Sequence, residues 1–495
     1  MSFQHLESPL RFLESTQNDF HSPQWLKEYE AWWQKEGQEI SDAVDRAGTP
    51  WLRMFDQSGK RVDQILYSPD YWRMLKRGYQ SGLLWRIVEE KTLFPAGLGI
   101  YVTSFYDPGL ACPYTVSLGT LLPLLKYADA EVQGRFLPKL LRKDEAVWQG
   151  ATWMTEIKGG SDLGTTVETV ARPAGAHWLL TGDKYFSSNA GAELAVVAGR
   201  PEGAPAGVRG LALYLVPRYR EDGRLNYFIR RLKDKIATRS VPTGEIELRD
   251  SEAWLLGESG SAGSSGASAQ SGNGIYLILE VLNASRVANS LGSVALAQRA
   301  LADAFSFAQN RMVFGKPLIE QPLMRRQFDR RLRQLRAATK LAWKSLELLN
   351  EIWQQKPPYS DRYHLFRLVT HLAKYWTAEL AVQTAKWSME VHGGLGTLQE
   401  FRTERWLREA MILAIWEGPS HRQILDALEV MERKHAHKLL LQYLSGMAQA
   451  RDLEAMEARV EQHLARAREE KEAGAEALVA QLAEFTADAL LDEKG

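Results

Sequence analysis

The sequence predicts an α+β chain of several domains: a helical N-terminal region, a middle antiparallel sheet or barrel, a C-terminal helical bundle and an acidic helical tail. Two changes of texture and one low-complexity stretch carry that expectation. Short strand-type segments replace helical texture near residue 151. Long helical periodicity returns at Gly274. Between them, residues 258–273 read ESGSAGSSGASAQSGN. At 495 residues the chain has length for about three domains of ordinary size.

The expected boundaries are 1–150, 151–273, 274–436 and 437–495. In the first region the apolar run Val116-Ser-Leu-Gly-Thr-Leu-Leu-Pro-Leu-Leu-Lys126 reads as buried. In the second, Trp178-Leu-Leu, Leu194–Ala198, Leu211–Val216 and Gly244–Leu248 are short, rich in strand formers and separated by Gly, Pro and Asp. Ile246 and Leu248 alternate with Glu245 and Glu247, which favours an antiparallel sheet or barrel over a parallel one. Residues 258–273 are too poor in apolar side chains to offset the entropy of ordering, and read as a loop. From Ile275 a helix runs towards Asn310, with Asn283 as a candidate break. Others span Leu323–Trp353 and Arg362–Val391, where Leu365, Leu368, Leu372 and Tyr375 recur at helical spacing. Long helices with short connections predict an antiparallel bundle. From 437 to the end, seven Lys and Arg stand against twelve Asp and Glu, so the tail is acidic.

Composition excludes several classes. Formal net charge is zero, so no overall field draws in nucleic acid or a membrane. Cys112 is the only cysteine, which rules out a disulfide framework and any CxxC site. Residues 1–20 lack a basic head and apolar stretch, so no signal peptide is expected. No apolar run approaches the length needed to span a bilayer. A cytoplasmic protein is the expectation. No GxGxxG follows a strand, and no P-loop, HExxH or GxSxG occurs. His435 and His437 form an isolated HAH, read as a solvated pair, and no metal site is expected.

Three segments stand out. Met154-Thr-Glu-Ile-Lys-Gly-Gly-Ser-Asp-Leu-Gly164 puts paired glycines beside hydroxyls, so backbone can approach a ligand; it also reads as a plain loop into the sheet. Gly182-Asp-Lys-Tyr-Phe-Ser-Ser-Asn189 sets an aromatic beside small hydroxyls, which suits a flat heteroaromatic ring or an ordinary strand. In Ile415-Trp-Glu-Gly-Pro-Ser-His421 a lone acid follows the apolar run Met411–Trp416. It is either a surface acid ahead of a helix or a costly buried carboxyl.

Together these segments resemble the acyl-CoA dehydrogenase family, over nearly the whole chain to about residue 432, with the AidB-like branch nearest. The resemblance rests on Met154-Thr-Glu-x-x-Gly-Gly-Ser-Asp162, Arg231-Leu-Lys-Asp-Lys235, Arg311-x-x-Phe-Gly-x-Pro-Leu318 with Gln321-Pro-Leu-Met-Arg325, and Met389-Glu-Val-x-Gly-Gly394. It implies N-terminal helices, a middle β-domain and a C-terminal four-helix bundle, with FAD held between the last two. It further implies a homotetramer or homodimer, an acyl-CoA substrate and an electron-transfer flavoprotein as acceptor.

Site residues follow from matching positions. Thr152, Met154, Thr155, Gly160 and Ser161 would line the flavin, with Thr155 bonding its pyrimidine edge and Ser161 near the diphosphate or the thioester. Phe186 would lie against the flavin ring and Ser188 near its N5. Arg311 and Gln321 would reach the FAD of a neighbouring subunit, and Phe314 would also contact the cofactor. Glu390, Gly393 and Gly394 would run along the adenine end, and Pro419 and His421 would face the cofactor. Arg286 would sit at the mouth of the active site. Glu417 matches the family's catalytic base; its backbone N–H and other donors would stabilise an enolate. Some relatives carry the base beside the equivalent of Arg286, where this chain has Ser285.

Pro419 and His421 depart from the family's usual residues after Glu-Gly. Proline is tolerated at a helix's first position, and the helix from Ser420 to Met431 would point its positive end at phosphates. The rival reading is an AidB-like flavoprotein with little dehydrogenase activity, acting in alkylation stress or binding DNA. The cluster Arg325, Arg326, Arg330, Arg331 and Arg333 is the basic surface available to it, against the reading of solvated arginines on a bundle helix.

Overall fold

The computed structural model describes Phe3 and residues 5–17, 19–257 and 274–492. The Gly/Ser-rich loop at 258–273 lies outside the described residues. The chain divides into two compact units, one of Trp33–Ala96 and Gly109–Ser285, the other of Met1–Trp32, Gly97–Pro108 and Arg286–Gly495.

The first unit contains a ribbon that the helical reading of residues 1–150 did not include. Strands β1 (Trp51–Phe55) and β2 (Arg61–Leu66) pair antiparallel, with Trp51 opposite Leu66. The turn is local chemistry: Asp56 Oδ1 accepts from the Ser58 and Lys60 amides, and Gly59 takes φ +82°. The ribbon's apolar residues are interrupted by Arg53, Arg61 and Asp63, which hid the alternation.

The same unit holds seven further strands: β3 (Gly150–Trp153), β4 (Val170–Ala174), β5 (His177–Ser188), β6 (Leu194–Pro201), β7 (Ala212–Pro217), β8 (Phe228–Leu232) and β9 (Thr243–Leu256). They run in the order β3-β6-β4-β5-β9-β7, β7 also pairs with β6, and β8 adds to β9. The circuit β6-β4-β5-β9-β7 therefore closes on itself, leaving few free edges. Most pairings are antiparallel, as the alternation predicted. The exceptions are β3 and β4, which both lie parallel to β6. Along β6 the two faces separate with period two: Ala195 and Val197 join Trp153, Tyr214 and Ile246, while Leu194 and Val196 join Met154, Leu213 and Leu215. On β9, Ile246 and Leu248 are buried, and half-buried Glu245 and Glu247 pair with Arg231, Lys233, Arg230 and Arg249. The run expected to be buried lies in the helix Ala111–Tyr127. This helix packs so closely on β3 that a Cβ at Gly150 would meet the Thr120 side chain at 2.6 Å.

The helix Gly274–Asn310 runs unbroken through Asn283, which is buried rather than breaking it. From Arg286 onward it belongs to the second unit. There it joins Pro322–Ile352, Asp361–His392, Thr403–Ile415 and Ser420–Lys434. A short hairpin, β10 (Met312–Val313) with β11 (Lys316–Pro317), links the first two of these helices.

Four tail helices follow, ending with Ala475–Leu491. This last helix buries Leu478, Val479, Leu482, Ala483 and Leu490, and its Asp488 meets Arg333 at 3.1 Å. Its acidic face is thus the outer side of an amphipathic helix. His437 corrects the solvated-pair reading. It is fully buried, and its Nε2 lies 3.1 Å from Glu461 Oε1, while His435 stays exposed. Among the described residues no helix is long and apolar enough to cross a membrane, and no group of three His, Cys, Asp or Glu is placed to hold a metal.

Candidate active site

The turn Trp416–Pro419 joins the helices Thr403–Ile415 and Ser420–Lys434, and its backbone is bent against preference. Glu417 takes φ +56° and Gly418 φ +97°. The left-handed region costs a residue with a Cβ about 1–2 kcal/mol. Such strain persists only where the surroundings over-determine it, and here they do. The Glu417 carbonyl accepts from Arg286 Nε at 3.1 Å and Gln423 Nε2 at 2.9 Å. The Gly418 carbonyl accepts from Lys374 Nζ at 2.8 Å and Gln423 Nε2 at 3.1 Å. Gly418 also has no room for a side chain, since a Cβ would meet Gln423 Nε2 at 2.9 Å.

The donors are themselves fixed and buried. Arg286 Nη2 lies 3.2 Å from Asp426 Oδ2, and Arg422 holds the other oxygen of Asp426. Gln423 Oε1 lies 3.0 Å from His371 Nδ1. Burial would raise the Asp426 carboxyl, but the cationic neighbours outweigh it and hold it below its ordinary value. Burial, reinforced by Arg286, pushes His371 down to about 3, so it is neutral. Burial lowers Lys374 to about 7, Arg286 working the same way and Glu417 against it.

Glu417 stands apart from these groups. Glu417 as a whole is half-buried, but the protein packed around its carboxyl desolvates it and raises it to about 7, with Arg286 and Lys374 recovering only part of the shift. The lone acid of the sequence is therefore poised near neutrality, where a carboxyl can both take and hold a proton. It is the member of the cluster with the ordinary chemistry of a general base.

The other predicted residues fall into two sets. In the first unit Met154 packs into the apolar core. Half-buried Thr152 and Thr155 are nearby in sequence, and Gly160 leaves room for Thr155, whose Oγ1 would lie 2.3 Å from an added Cβ. Ser161 is exposed, and Ser188 Oγ is 3.3 Å from Thr243 Oγ1. Phe186 is 57% exposed, edge-on to Tyr185, with Lys233 Nζ 4.6 Å from its ring.

In the second unit Phe314, 99% exposed with φ +47°, tips the hairpin next to exposed Arg311. Gln321 closes that hairpin by donating to the Val313 carbonyl at 3.0 Å. Glu390 is paired with Lys386. Gly393 takes φ +62° at the end of the Asp361–His392 helix, and neither it nor Gly394 has an atom within 4 Å of an added Cβ. His421 is exposed in the first turn of its helix, and Pro419 is the residue before that turn, with ψ 172°, rather than its first position.

Sequence reasoning missed Lys374, His371, Gln423 and Asp426. The signal was present: His371 and Lys374 interrupt the apolar series Leu365, Leu368, Leu372 and Tyr375, and Gln423 and Asp426 are three apart on one helix face.

The comparisons with known proteins agree from residue 5 to residue 431. The family model for the adaptive response protein AidB N-terminal domain matches residues 5–145. That for the acyl-CoA dehydrogenase middle domain matches 151–251, and that for the acyl-CoA dehydrogenase C-terminal domain matches 272–431. A putative acyl-CoA dehydrogenase AidB of Escherichia coli (strain K12) is 30% identical over 400 residues, 78% of this chain and 70% of its own length. Acyl-CoA dehydrogenase family member 11 of Caenorhabditis elegans is 27% identical over 422 residues, 81% of this chain and 66% of its own. Among solved structures, the apo form of Bd2924 superposes with a TM-score of 0.84 at 27% identity, covering 98% of this chain and 96% of its own. The chain belongs to the acyl-CoA dehydrogenase family, with an N-terminal region of the AidB type.

Proposed function

We propose that the protein is an FAD-dependent acyl-CoA dehydrogenase in which Glu417 removes the α-proton of an acyl thioester. The observation that carries this reading is the Glu417 carboxyl, raised to about 7 in a strained turn whose Glu417 and Gly418 carbonyls are both held by buried side chains. A weakly acidic carbon acid needs a base of raised affinity for protons, and water excluded by a bound substrate strengthens that base further.

The residues present fit the flavin group. Within the sheet unit, an exposed aromatic face at Phe186, the cation of Lys233 and the hydroxyls of Thr155, Ser161 and Ser188 suit a flat polar ring. When bound, FAD supplies a two-electron acceptor for the β-hydride, so loss of the α-proton and β-hydride leaves a 2-enoyl thioester. Glu417 receives the proton and becomes neutral. Its backbone N–H is the donor for the thioester oxygen, where negative charge grows as the α-carbon loses its proton. Arg286 and Gln423 keep the Glu417 carbonyl turned away from that oxygen by bonding it themselves. Arg311 and Gln321 serve the cofactor of a neighbouring subunit in this reading, Phe314 and Glu390 also contact the cofactor, and an electron-transfer flavoprotein reoxidises the enzyme.

Anaerobic mixing of the purified flavoprotein with a panel of acyl-CoAs tests this. Bleaching of the flavin by at least one thioester is expected, and its rate should rise with pH through about 7 as Glu417 ionises. If no thioester bleaches it, or if Glu417→Gln bleaches as fast, the reading is wrong.

The AidB-type N-terminal region favours a second reading, a flavoprotein of the alkylation-stress response that binds DNA. Its predicted basic surface is partly occupied. Arg331 lies 4.6 Å from the Trp387 ring centroid and Arg333 is paired with Asp488. A salt-dependent shift of duplex DNA, lost on Arg325→Ala with Arg326→Ala, is the result that would support it.

A further inference from the structure

Lys374 is fully buried in the middle of the Asp361–His392 helix, and it forms no direct ion pair with Glu417. Its ammonium donates instead to two carbonyls, Ala414 at 3.0 Å and Gly418 at 2.8 Å. These bracket Glu417 in sequence. Ala414 lies in the last turn of the Thr403–Ile415 helix, where unpaired carbonyls concentrate the negative end of the helix dipole. A carboxylate formed just beyond that end meets the dipole's repulsion. A cation placed on those carbonyls offsets it.

We propose that Lys374 is a positioning residue for Glu417, holding the carbonyls on both sides of it and, in its ammonium form, favouring ionisation of the Glu417 carboxyl. This rests on the reading of Glu417 as the base and adds the group that tunes it. The geometry explains why a lysine is buried at a cost of several kcal/mol without contacting a carboxylate: a direct pair would stabilise the Glu417 anion so far that it would be a poor base. Spending the ammonium on backbone leaves attraction through space alone.

The charged and titratable groups around the pair are Arg286, which faces both and is anchored on Asp426, and Glu379, which acts on Lys374 and accepts from Ser420. Arg422 is taken up by Asp426, Arg367 acts on His371, and His371 is neutral. None of these duplicates the Lys374 bonds to Ala414 and Gly418 together.

The test reads Glu417 directly. Full-length protein is labelled with carbon-13 at glutamate side-chain carboxyls, and the Glu417 signal is identified by its loss in Glu417→Gln. The wild-type midpoint is expected near 7. Lys374→Met, which keeps the packing and removes the charge, should raise that midpoint by about 1 unit or more, and Lys374→Arg should return it towards the wild-type value. Lys374→Gln, neutral but still able to donate one N–H, gives the same upward shift if methionine is not tolerated. A folded Lys374→Met or Lys374→Gln protein whose Glu417 midpoint is unchanged overturns the proposal. A parallel measurement separates it from the dehydrogenase reading. If an acyl-CoA bleaches the wild-type flavin, the acid limb of the rate profile in Lys374→Met should move up with the midpoint. If no thioester bleaches it, that reading fails, while the carboxyl titration still decides the role of Lys374.

Discussion

Each unit of this protein buries a lysine with a glutamate, and the two pairs are wired in opposite ways. In the sheet unit Lys184 Nζ meets Glu156 Oε1 at 2.6 Å. The same carboxylate accepts from Thr169 Oγ1 and from the Thr169 and Glu168 amides. Burial works to raise Glu156, yet Lys184 and these donors hold it below its ordinary value; Lys184 is lowered by burial, against the pull of Glu156. In the helical unit Lys374 bonds two carbonyls, and Arg286 and Lys374 act on the Glu417 carboxyl through space only, leaving it raised. The same two residue types make a structural clasp where they touch and a titratable acid where they do not. What decides between them is whether the carboxylate's lone pairs are filled: hydrogen bonds to the charged form fix it, while desolvation without them destabilises it.

The contrast can be broken most severely at Glu417. Glu417→Gln should slow flavin reduction by an acyl-CoA by about 10²–10⁴-fold in stopped-flow absorbance, with no loss of thermal stability. The equivalent cut in the clasp should do the reverse. Lys184→Met leaves Glu156 buried without its cation and should cost about 3–5 kcal/mol, measured as a lower midpoint of urea unfolding followed by fluorescence.

A pH series sharpens the same distinction. Glu417 has its proton affinity raised on folding, so the folded state binds more protons than the unfolded one between the ordinary value of 4.5 and about 7. Stability from this group is therefore lost as pH rises across that window. Glu156, held low when folded, contributes stability above its ordinary value that disappears only in more acidic solution. Melting curves of wild type and Glu417→Gln should thus diverge in favour of the variant between pH 4.5 and 7, and Glu156→Gln should give no such gain. At the turn itself, Gly418→Ala should cost about 1–2 kcal/mol from its positive φ, with reduced flavin bleaching. The smallest effect is expected at the exposed pair Arg333–Asp488, where Arg333→Gln should change stability by less than about 1 kcal/mol.

The candidate residues were nameable from the sequence because their motifs are local. Glu417 sits in a short motif, and the glycines, Phe186 and Arg311 are adjacent to other recognisable residues. The long helices were readable because their apolar period runs for thirty or more positions, as in Asp361–His392. The β1–β2 ribbon was not, since charged residues break its alternation. Nor were the parallel pairings of β3 and β4 with β6, which depend on strands far apart in sequence. The supports of Glu417 come from 131 positions away at Arg286 and 44 positions away between Lys374 and Gly418.

The sequence by itself determined the family, the order of helical and strand regions, and the identity of the acid that stands alone after an apolar run. These are properties of residue type and short-range spacing. Only the tertiary structure decided that Glu417 is strained into a left-handed turn, that Lys374 serves carbonyls rather than a carboxylate, and that His437 is buried against Glu461. Proton affinity and backbone strain depend on which distant groups surround a residue and how much water they displace, and no local pattern encodes that.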